Sequence, residues 1–276
     1  MSLPRRIVVM LGGHGDVDAA LEAAAMLAGA TGAHLAGLFV EDQELFDLAG
    51  LPLAATGSGR TGPLTMNLME KALRSQARTC RRLMADLAGR AHLAFEFETV
   101  RGDRRALMAE ATLAGDIVLC QTSLGGPGAD EVIAHARHNV RAAAGVALIG
   151  PLARLRPGPV VAIDDGDETG RQTVTLAARI AARRHETLIV VALANERQSA
   201  EATIERARAI AGRGIAMAAR MVLGDGTARL AEALIEVQPC CVVADLEGRP
   251  FVDDAAVALL VRAARAPLIL LRRPAR

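Results

Sequence analysis

Residues 144–149 read AGVALI, and residues 266–271 read APLILL. The second stretch lies 122 positions after the first, and the Gly-Asp pair at residues 102–103 returns at the same offset as residues 224–225. Both apolar stretches have the length and the aliphatic content of buried strands. Their return at one fixed distance indicates two copies of one structural unit.

Each copy extends outward from this stretch as short apolar runs separated by longer Ala- and Leu-rich segments of helical period. Residues 7–11 correspond to residues 160–164, and residues 35–40 correspond to residues 188–193. Strands that alternate with long helices predict βαβ units and a parallel sheet, and continuous apolar strands are typical of a sheet covered on both faces. The predicted fold is α/β, with two repeated Rossmann-like domains, each a five-stranded parallel sheet with helices on both faces.

The predicted domains span residues 1–152 and residues 157–276, with a join rich in Pro and Gly between them. The first copy is about 30 residues longer, and we assign the excess to an inserted loop at about residues 41–63. A long helix is expected over residues 64–90 because its apolar positions recur every three or four residues. The strands are expected near residues 5–11, 33–40, 93–100, 116–121 and 146–149, and again near residues 159–164, 186–193, 215–223, 240–244 and 267–272.

The composition excludes two classes of protein. The chain of 276 residues is 51% hydrophobic and has a net charge of +1, which excludes a disordered chain and a broad basic surface for nucleic acid. It contains five Phe, no Trp and no Tyr, so it lacks the aromatic platforms on which bases stack. We therefore expect no nucleic-acid partner.

The absence of recognisable targeting signals and the pattern of the cysteines favour an ordinary soluble chain. The chain shows neither a run of 18 uncharged apolar residues nor a signal-peptide pattern, so we expect a cytoplasmic protein with no membrane partner. The four cysteines form no C-x-x-C motif, and no metal site is expected. Three of them lie in apolar runs, which favours buried thiols.

The turns that follow the strands carry the residues with chemical interest. Open α/β sheets bind ligands at the carboxyl ends of their strands. At the end of its first strand the second copy has Asp164, whereas the first copy has Leu11 and Gly12. After its fourth strand the first copy has Gly125-x-x-Gly128, which is either a backbone cradle for a phosphate or a plain turn before a helix at residues 129–143.

Aspartates in the same turns have a simpler explanation. Asp16, Asp103, Asp167 and Asp225 each precede a predicted helix, and Asp is a favoured N-cap residue. A G-x-G-x-x-G pattern at residues 57–62 falls in the inserted loop, where no good strand precedes it.

Each half resembles a universal stress protein domain, and the whole chain resembles a tandem universal stress protein. The resemblance covers nearly the whole chain outside residues 41–70. The stretches that carry it are residues 36–40, 100–103, 114–119, 160–165 and 266–271. It implies an adenine nucleotide alpha hydrolase-like fold for each half and pairing of two domains through their last strands, either within one chain or in a homodimer.

Some members of that family bind ATP with an Asp after strand one and a loop G-x2-G-x9-G-[S/T] after strand four. The resemblance thus implies Asp164, Gly125, Gly128 and Val40 as candidate nucleotide contacts, with ATP as the one cofactor to consider. Neither copy has the complete motif, because the first lacks the Asp and the second lacks the glycine loop.

Three hypotheses follow from these observations. The first is a non-catalytic stress-response or regulatory protein with degenerate nucleotide motifs and an unidentified protein partner. The second is a protein that binds ATP or another small ligand at the carboxyl edge of one sheet. The third, a slow ATPase, has the least support because the sequence identifies neither a general base nor a nucleophile.

Overall fold

The computed structural model describes residues 4–12, 16–49, 66–122, 143–224, 226–251 and 253–273, and over these ranges strands and helices alternate. The strands are β1 Arg6–Leu11, β2 His34–Asp42, β3 Phe95–Gly102, β4 Ile117–Gln121, β5 Gly145–Ile149, β6 Val160–Asp164, β7 Leu188–Ala194, β8 Met217–Leu223, β9 Cys241–Asp245 and β10 Leu268–Leu271. The α-helices are α1 Val17–Thr31, α2 Gln43–Ala49, α3 Met66–Ala91, α4 Arg104–Ala111, α5 Glu168–Arg184, α6 Arg197–Ala211, α7 Thr227–Val237 and α8 Asp254–Ala264.

The predicted α/β class is confirmed, and every described strand begins and ends within two residues of its predicted range. The inserted segment differs from the prediction, because β2 continues to Asp42 and is followed by α2 rather than by a loop. Phe46 of α2 is buried in the core and lies under the guanidinium of Arg101, 3.9 Å from the ring centre, so this short helix is held against the sheet. Residues 50–65 and residues 129–142 of the predicted helix lie outside the described residues.

All ten strands form one sheet in the order β3-β2-β1-β4-β5-β10-β9-β6-β7-β8. Within each half, β1–β5 or β6–β10, neighbouring strands are parallel, but β5 and β10 pair in antiparallel fashion with Val146 opposite Leu270. Gly145 permits this close approach, since a Cβ there would lie 2.6 Å from the carbonyl oxygen of Leu270. Because β5 and β10 are antiparallel, the strands of the two halves run in opposite directions. Their carboxyl ends therefore lie on opposite edges of the shared sheet.

Side-chain alternation along the strands creates one apolar core on each face of the sheet. In β1, Ile7, Val9 and Leu11 face the core under α1, α3, α5 and α6, whereas Val8 and Met10 face the core under α4, α7 and α8. The buried face of α1 is built largely from alanine, which lets the helix approach the sheet closely. A core without Trp or Tyr is thus filled by aliphatic layers.

Helix starts explain most of the aspartates in the turns. Asp16, Asp103 and Asp167 are the N-caps of α1, α4 and α5, and each carboxylate accepts a hydrogen bond from the backbone N–H three residues further on. The fourth helix start differs from the prediction, because the N-cap of α7 is Gly226, which makes no side-chain capping bond. Asp225 lies outside the described residues.

None of the helices in the described part of the chain is long and apolar enough to cross a membrane.

Candidate functional site

Asp164 ends β6 at the carboxyl edge of the second half, and its side chain is fully buried. Nη2 of Arg206 on α6 lies 2.8 Å from each carboxylate oxygen, and the backbone N–H of Gly166 donates to Oδ1 at 2.9 Å. A buried carboxylate requires such partners, because burial removes its hydration. The side chain that the sequence identified as a nucleotide contact is therefore bound by groups of its own chain.

Two further contacts restrict the turn after β6 and the side chain of Asp164. Arg206 also donates through Nη1 to the carbonyl oxygen of Gly166 at 2.6 Å. On the opposite side, a Cβ on Gly170 in the first turn of α5 would lie 1.9 Å from Oδ1 of Asp164. Only glycine leaves room for the carboxylate at that position.

Three further carboxylates lie at the point where β6 and β9 end side by side. Oxygen atoms of Asp165, Asp167 and Asp245 all lie within 4.8 Å of one another. This is the crevice where open α/β sheets bind ligands, since the chain leaves β6 and β9 toward opposite sides. Carboxylate oxygens in such a group are the ligand type that hard divalent cations prefer.

Arg273, two residues beyond β10, supplies the positive charge at this cluster. Its Nη2 lies 3.1 Å from Oδ2 of Asp245 and also donates to Asp167, and its Nε lies 3.7 Å from Glu247. Burial raises the pKa of Asp165 to about 6, and the negative charges of Asp167 and Asp245 act in the same direction. The crevice of the second half is thus acidic and is closed by an arginine of the same chain.

A small cavity remains at this edge, between the ends of β7 and β8 and the loop after β9. Its volume is about 170 Å³. Arg249 crosses it to donate to the side-chain oxygen of Asn195. A nucleotide therefore does not fit there without rearrangement.

The cavity of 170 Å³ is little more than half the volume of roughly 300 Å³ at which ligand pockets usually begin. It is lined by Leu193, Asn195, Gly224, Gly226, Thr227, Arg249 and Pro250. Its walls come from β7, β8, α7 and the loop after β9, and none of the four acidic side chains around Arg273 lines it. The acidic crevice and this cavity are therefore separate features of the same edge.

The first half has a different arrangement at its own carboxyl edge. Leu11, which is fully buried, occupies the position that corresponds to Asp164, and Gly12 follows it with a φ of +96°. A Cβ on Gly12 would lie 2.6 Å from the carbonyl oxygen of Val40. Both the backbone conformation and this contact exclude a larger side chain, so the first half has no acidic group at this point.

Arg104 at the start of α4 lies over this glycine and donates to its carbonyl oxygen. No described carboxylate lies within ion-pairing distance of Arg104, and burial lowers the pKa of its guanidinium. Asp42 and the thiol of Cys120 act on it only through space. The first half thus holds a partly buried cation at its carboxyl edge, whereas the second half holds a group of carboxylates.

The residues that the sequence identified do not lie together in one site. Val40 is a buried residue of β2, opposite Val100 of β3, and five strands separate β2 from β6. At about 4.8 Å per strand that is roughly 30 Å, and the carboxyl ends of the two halves lie on opposite edges. Gly125 and Gly128 lie outside the described residues. Asp164 and Val40 therefore cannot contact the same nucleotide.

Three arginines of the candidate site were missed by reasoning from the sequence. Arg206, Arg104 and Arg273 each reach a strand end from an element distant in sequence, and none belongs to a recognisable motif. The chain contains one lysine, Lys71, and this shortage is the one sequence signal that pointed to arginine as the cation at these edges.

No protein-family model matches the sequence, and no curated protein matches it. The structure is similar to a universal stress protein from Archaeoglobus fulgidus DSM 4304, with a TM-score of 0.63 and 11% identity over 97% of this chain and 98% of that one. It is similar to a putative universal stress protein from Pseudomonas aeruginosa UCBPP-PA14, with a TM-score of 0.56 and 14% identity over 98% and 93% of the two chains.

The fold also occurs in a protein with another description. The cytoplasmic domain of a prokaryotic cation chloride cotransporter matches with a TM-score of 0.59 and 13% identity over 98% of this chain and 96% of that one. The resemblance to tandem universal stress proteins is thus confirmed at the level of the fold. Identities this low leave the activity to be argued from the site itself.

Proposed function

We propose that this chain, which has the fold of a tandem universal stress protein, is a non-catalytic regulatory protein of the stress response that does not hold ATP in its second half. The observation that carries the proposal is the pairing of Asp164 with Arg206. In family members that bind ATP, this aspartate position serves the nucleotide. Here the carboxylate is fully buried, and its partners already come from α6 and from the turn after β6.

Charge at the crevice supports the same proposal. Asp165, Asp167, Asp245 and Glu247 surround the ends of β6 and β9, and Arg273 is the one guanidinium that the described residues bring to them. A nucleoside triphosphate would add several negative charges to this group of carboxylates. Like charges in a partly buried crevice repel strongly, because solvent screening is weak there.

Calorimetric titration with Mg-ATP tests this proposal. We expect no saturable binding to the wild-type chain at nucleotide concentrations up to about 1 mM, which corresponds to a binding free energy weaker than about −4 kcal/mol. The matched variant is Asp164→Asn, which has the same size and no charge. Micromolar affinity in the wild type that is lost in Asp164→Asn would contradict the proposal.

Turnover is measured in the same samples as release of inorganic phosphate. We expect the rate with protein to equal the rate without it. A rate that disappears on substitution of one residue at either carboxyl edge would show that the chain is an enzyme.

A second candidate function is binding of a small anionic ligand at the carboxyl edge of the first half. Arg104 favours it, because a partly buried guanidinium without a described carboxylate partner is a site where a phosphate or carboxylate group gains a charge-assisted hydrogen bond. The anionic group of the ligand would take the place of a carboxylate partner for Arg104.

Titration with inorganic phosphate and with ATP distinguishes this candidate from the first. Binding that is lost in Arg104→Gln and retained in Asp164→Asn would assign the ligand to the first half. Arg101→Gln is the matched control, since Arg101 already contacts Glu41 at 2.9 Å and the ring of Phe46. Absence of binding by both probes would leave the first proposal alone.

A further inference from the structure

Among the described residues, the shared sheet has two outer strands, β3 and β8, and each pairs with a neighbouring strand on one side. An outer strand presents free N–H and C=O groups, and monomeric proteins usually protect such an edge with charged side chains. β3 follows this rule, because it carries Glu96, Glu98 and Arg101. β8 carries Arg220 alone, so the two edges differ in protection.

The edge at β8 is also apolar and accessible. The side chains of Met221 and Leu223 are 41% and 37% exposed, although both belong to a strand. A groove of about 510 Å³ runs between β8 and α7 and includes both residues. This strand therefore offers an exposed backbone edge together with apolar side chains, which is the arrangement that a further strand would bury.

Charges of both signs line the same groove. Arg220 pairs with Glu236 of α7 at 2.8 Å. Arg229 reaches only the carbonyl oxygen of Leu223, at 3.5 Å, and Glu232 makes no hydrogen bond or ion pair with a described residue. Arg229 and Glu232 lie three residues apart on one side of α7 but do not pair with each other. One patch thus holds a cation and an anion that both lack a charged partner among the described residues.

We propose that β8 pairs in antiparallel fashion with β8 of a second copy of this chain. A two-fold axis places the same patch on both sides of an interface, so a patch that binds itself must carry both signs of charge. Arg229 lies beside Leu223 and Glu236 lies beside Arg220, so a two-fold axis at Val222 would bring Arg229 of each copy toward Glu232 of the other. It would also bury Met221 and Leu223 and extend the ten-stranded sheet across the dimer. This self-complementarity favours a second copy over an unrelated peptide.

Light scattering after size-exclusion chromatography of the full chain tests the proposal. We expect a mass of twice 28.8 kDa for the wild type at high concentration and a shift toward 28.8 kDa on dilution. Met221→Lys places a charge on the exposed edge and is expected to raise the dimer dissociation constant at least about tenfold. Thr99→Lys, at an exposed position of β3, is the matched control and should leave the mass unchanged.

A charge exchange tests the geometry of the interface. Arg229→Glu and Glu232→Arg should each weaken the dimer, whereas the double variant should restore it, because it exchanges the two signs without changing the pattern. A wild-type chain that stays monomeric up to about 100 µM would overturn the proposal. A dimer that is unaffected by Met221→Lys would also overturn it, since the interface would then lie elsewhere.

Discussion

Nη2 of Arg206 lies 2.8 Å from both carboxylate oxygens of Asp164, although 42 residues of chain separate the two. The pair joins α6 to the carboxyl end of β6, with Asp164 fully buried and Arg206 largely covered. A buried ion pair of this kind contributes little compared with an apolar replacement of both residues, but it is costly to break on one side. Removing one residue of the pair is therefore expected to cost more stability than replacing both residues.

Arg206→Ala is expected to lower the free energy of unfolding by about 3–5 kcal/mol, because it leaves a buried carboxylate without its cation. Urea unfolding followed by circular dichroism measures the change. Arg208→Ala is the control on the same helix, and it should change stability by less than about 1 kcal/mol, since Arg208 pairs with Glu205 at the surface. Equal effects of the two substitutions would contradict the role given to Arg206.

Two glycines in helices should respond in opposite directions to alanine. Gly170→Ala is expected to destabilise the chain by about 1–3 kcal/mol, because its Cβ would lie 1.9 Å from Oδ1 of Asp164. Gly89→Ala, in α3, meets nothing within 4 Å and should stabilise by about 0.5–1 kcal/mol through helix propensity. Thermal unfolding of both variants measures the contrast. Stabilisation by Gly170→Ala would show that the turn after β6 adapts without cost.

The free energy of unfolding should decrease as the pH rises from the pKa of Asp165 in the unfolded chain to its pKa in the folded chain. Its pKa is about 6 in the folded chain, whereas an unfolded Asp titrates near about 4. The folded state therefore binds the proton more tightly, so this contribution is complete below pH ~4 and is lost as pH rises to about 6. Asp245, whose pKa is also raised by burial, acts in the same direction.

Asp165→Asn removes this dependence. We expect the variant to be more stable than the wild type by about 1 kcal/mol at pH 7, a value reduced to allow for partial solvent screening, and to match it near pH 4. Urea unfolding at both pH values measures the difference. Asp86→Asn, at an exposed position of α3, is the control and should change little at either pH. A variant that is less stable at pH 7 would contradict the repulsion among these carboxylates.

The four cysteines should resist alkylation in the folded chain, because all are buried. Burial raises the pKa of Cys120 to about 12, whereas the pKa of Cys240 is lowered, chiefly by a hydrogen bond with the thiol of Cys241 and also by Arg184. Cys240 should therefore be the first to react with iodoacetamide as low urea opens the structure. Mass spectrometry of digests identifies the site, and earlier labelling of Cys120 would contradict this order.

The repeat in the sequence was sufficient to predict the class of fold and the strand positions. Apolar runs such as those of β1 and β6 are determined by local composition, so their limits agreed within two residues. The helix α2 was missed because its packing against the sheet depends on Phe46, the buried side chain among residues 43–47. One buried side chain in a helix of seven residues produces no periodic apolar pattern, so the sequence does not reveal this contact.

The candidate site was less predictable, because its properties depend on which residues meet in space. Asp164 was recognised from its place after a strand, but its pairing with Arg206 depends on the angle at which α6 crosses the sheet end. The sequence also suggested that Asp164 and Val40 serve one kind of ligand. Their separation follows from the antiparallel pairing of β5 with β10, which no local pattern encodes.

The pairing of β5 with β10 has a consequence for synthesis of the chain on the ribosome. β5 is complete at Ile149, but the strand that covers its free side starts at Leu268, about 120 residues later. At roughly 5–20 residues per second, the nascent first half exposes an apolar strand edge for about 6–24 s. During that interval neighbouring nascent chains on one polysome present identical edges to each other. Correct biogenesis therefore depends on the second half arriving before such edges meet.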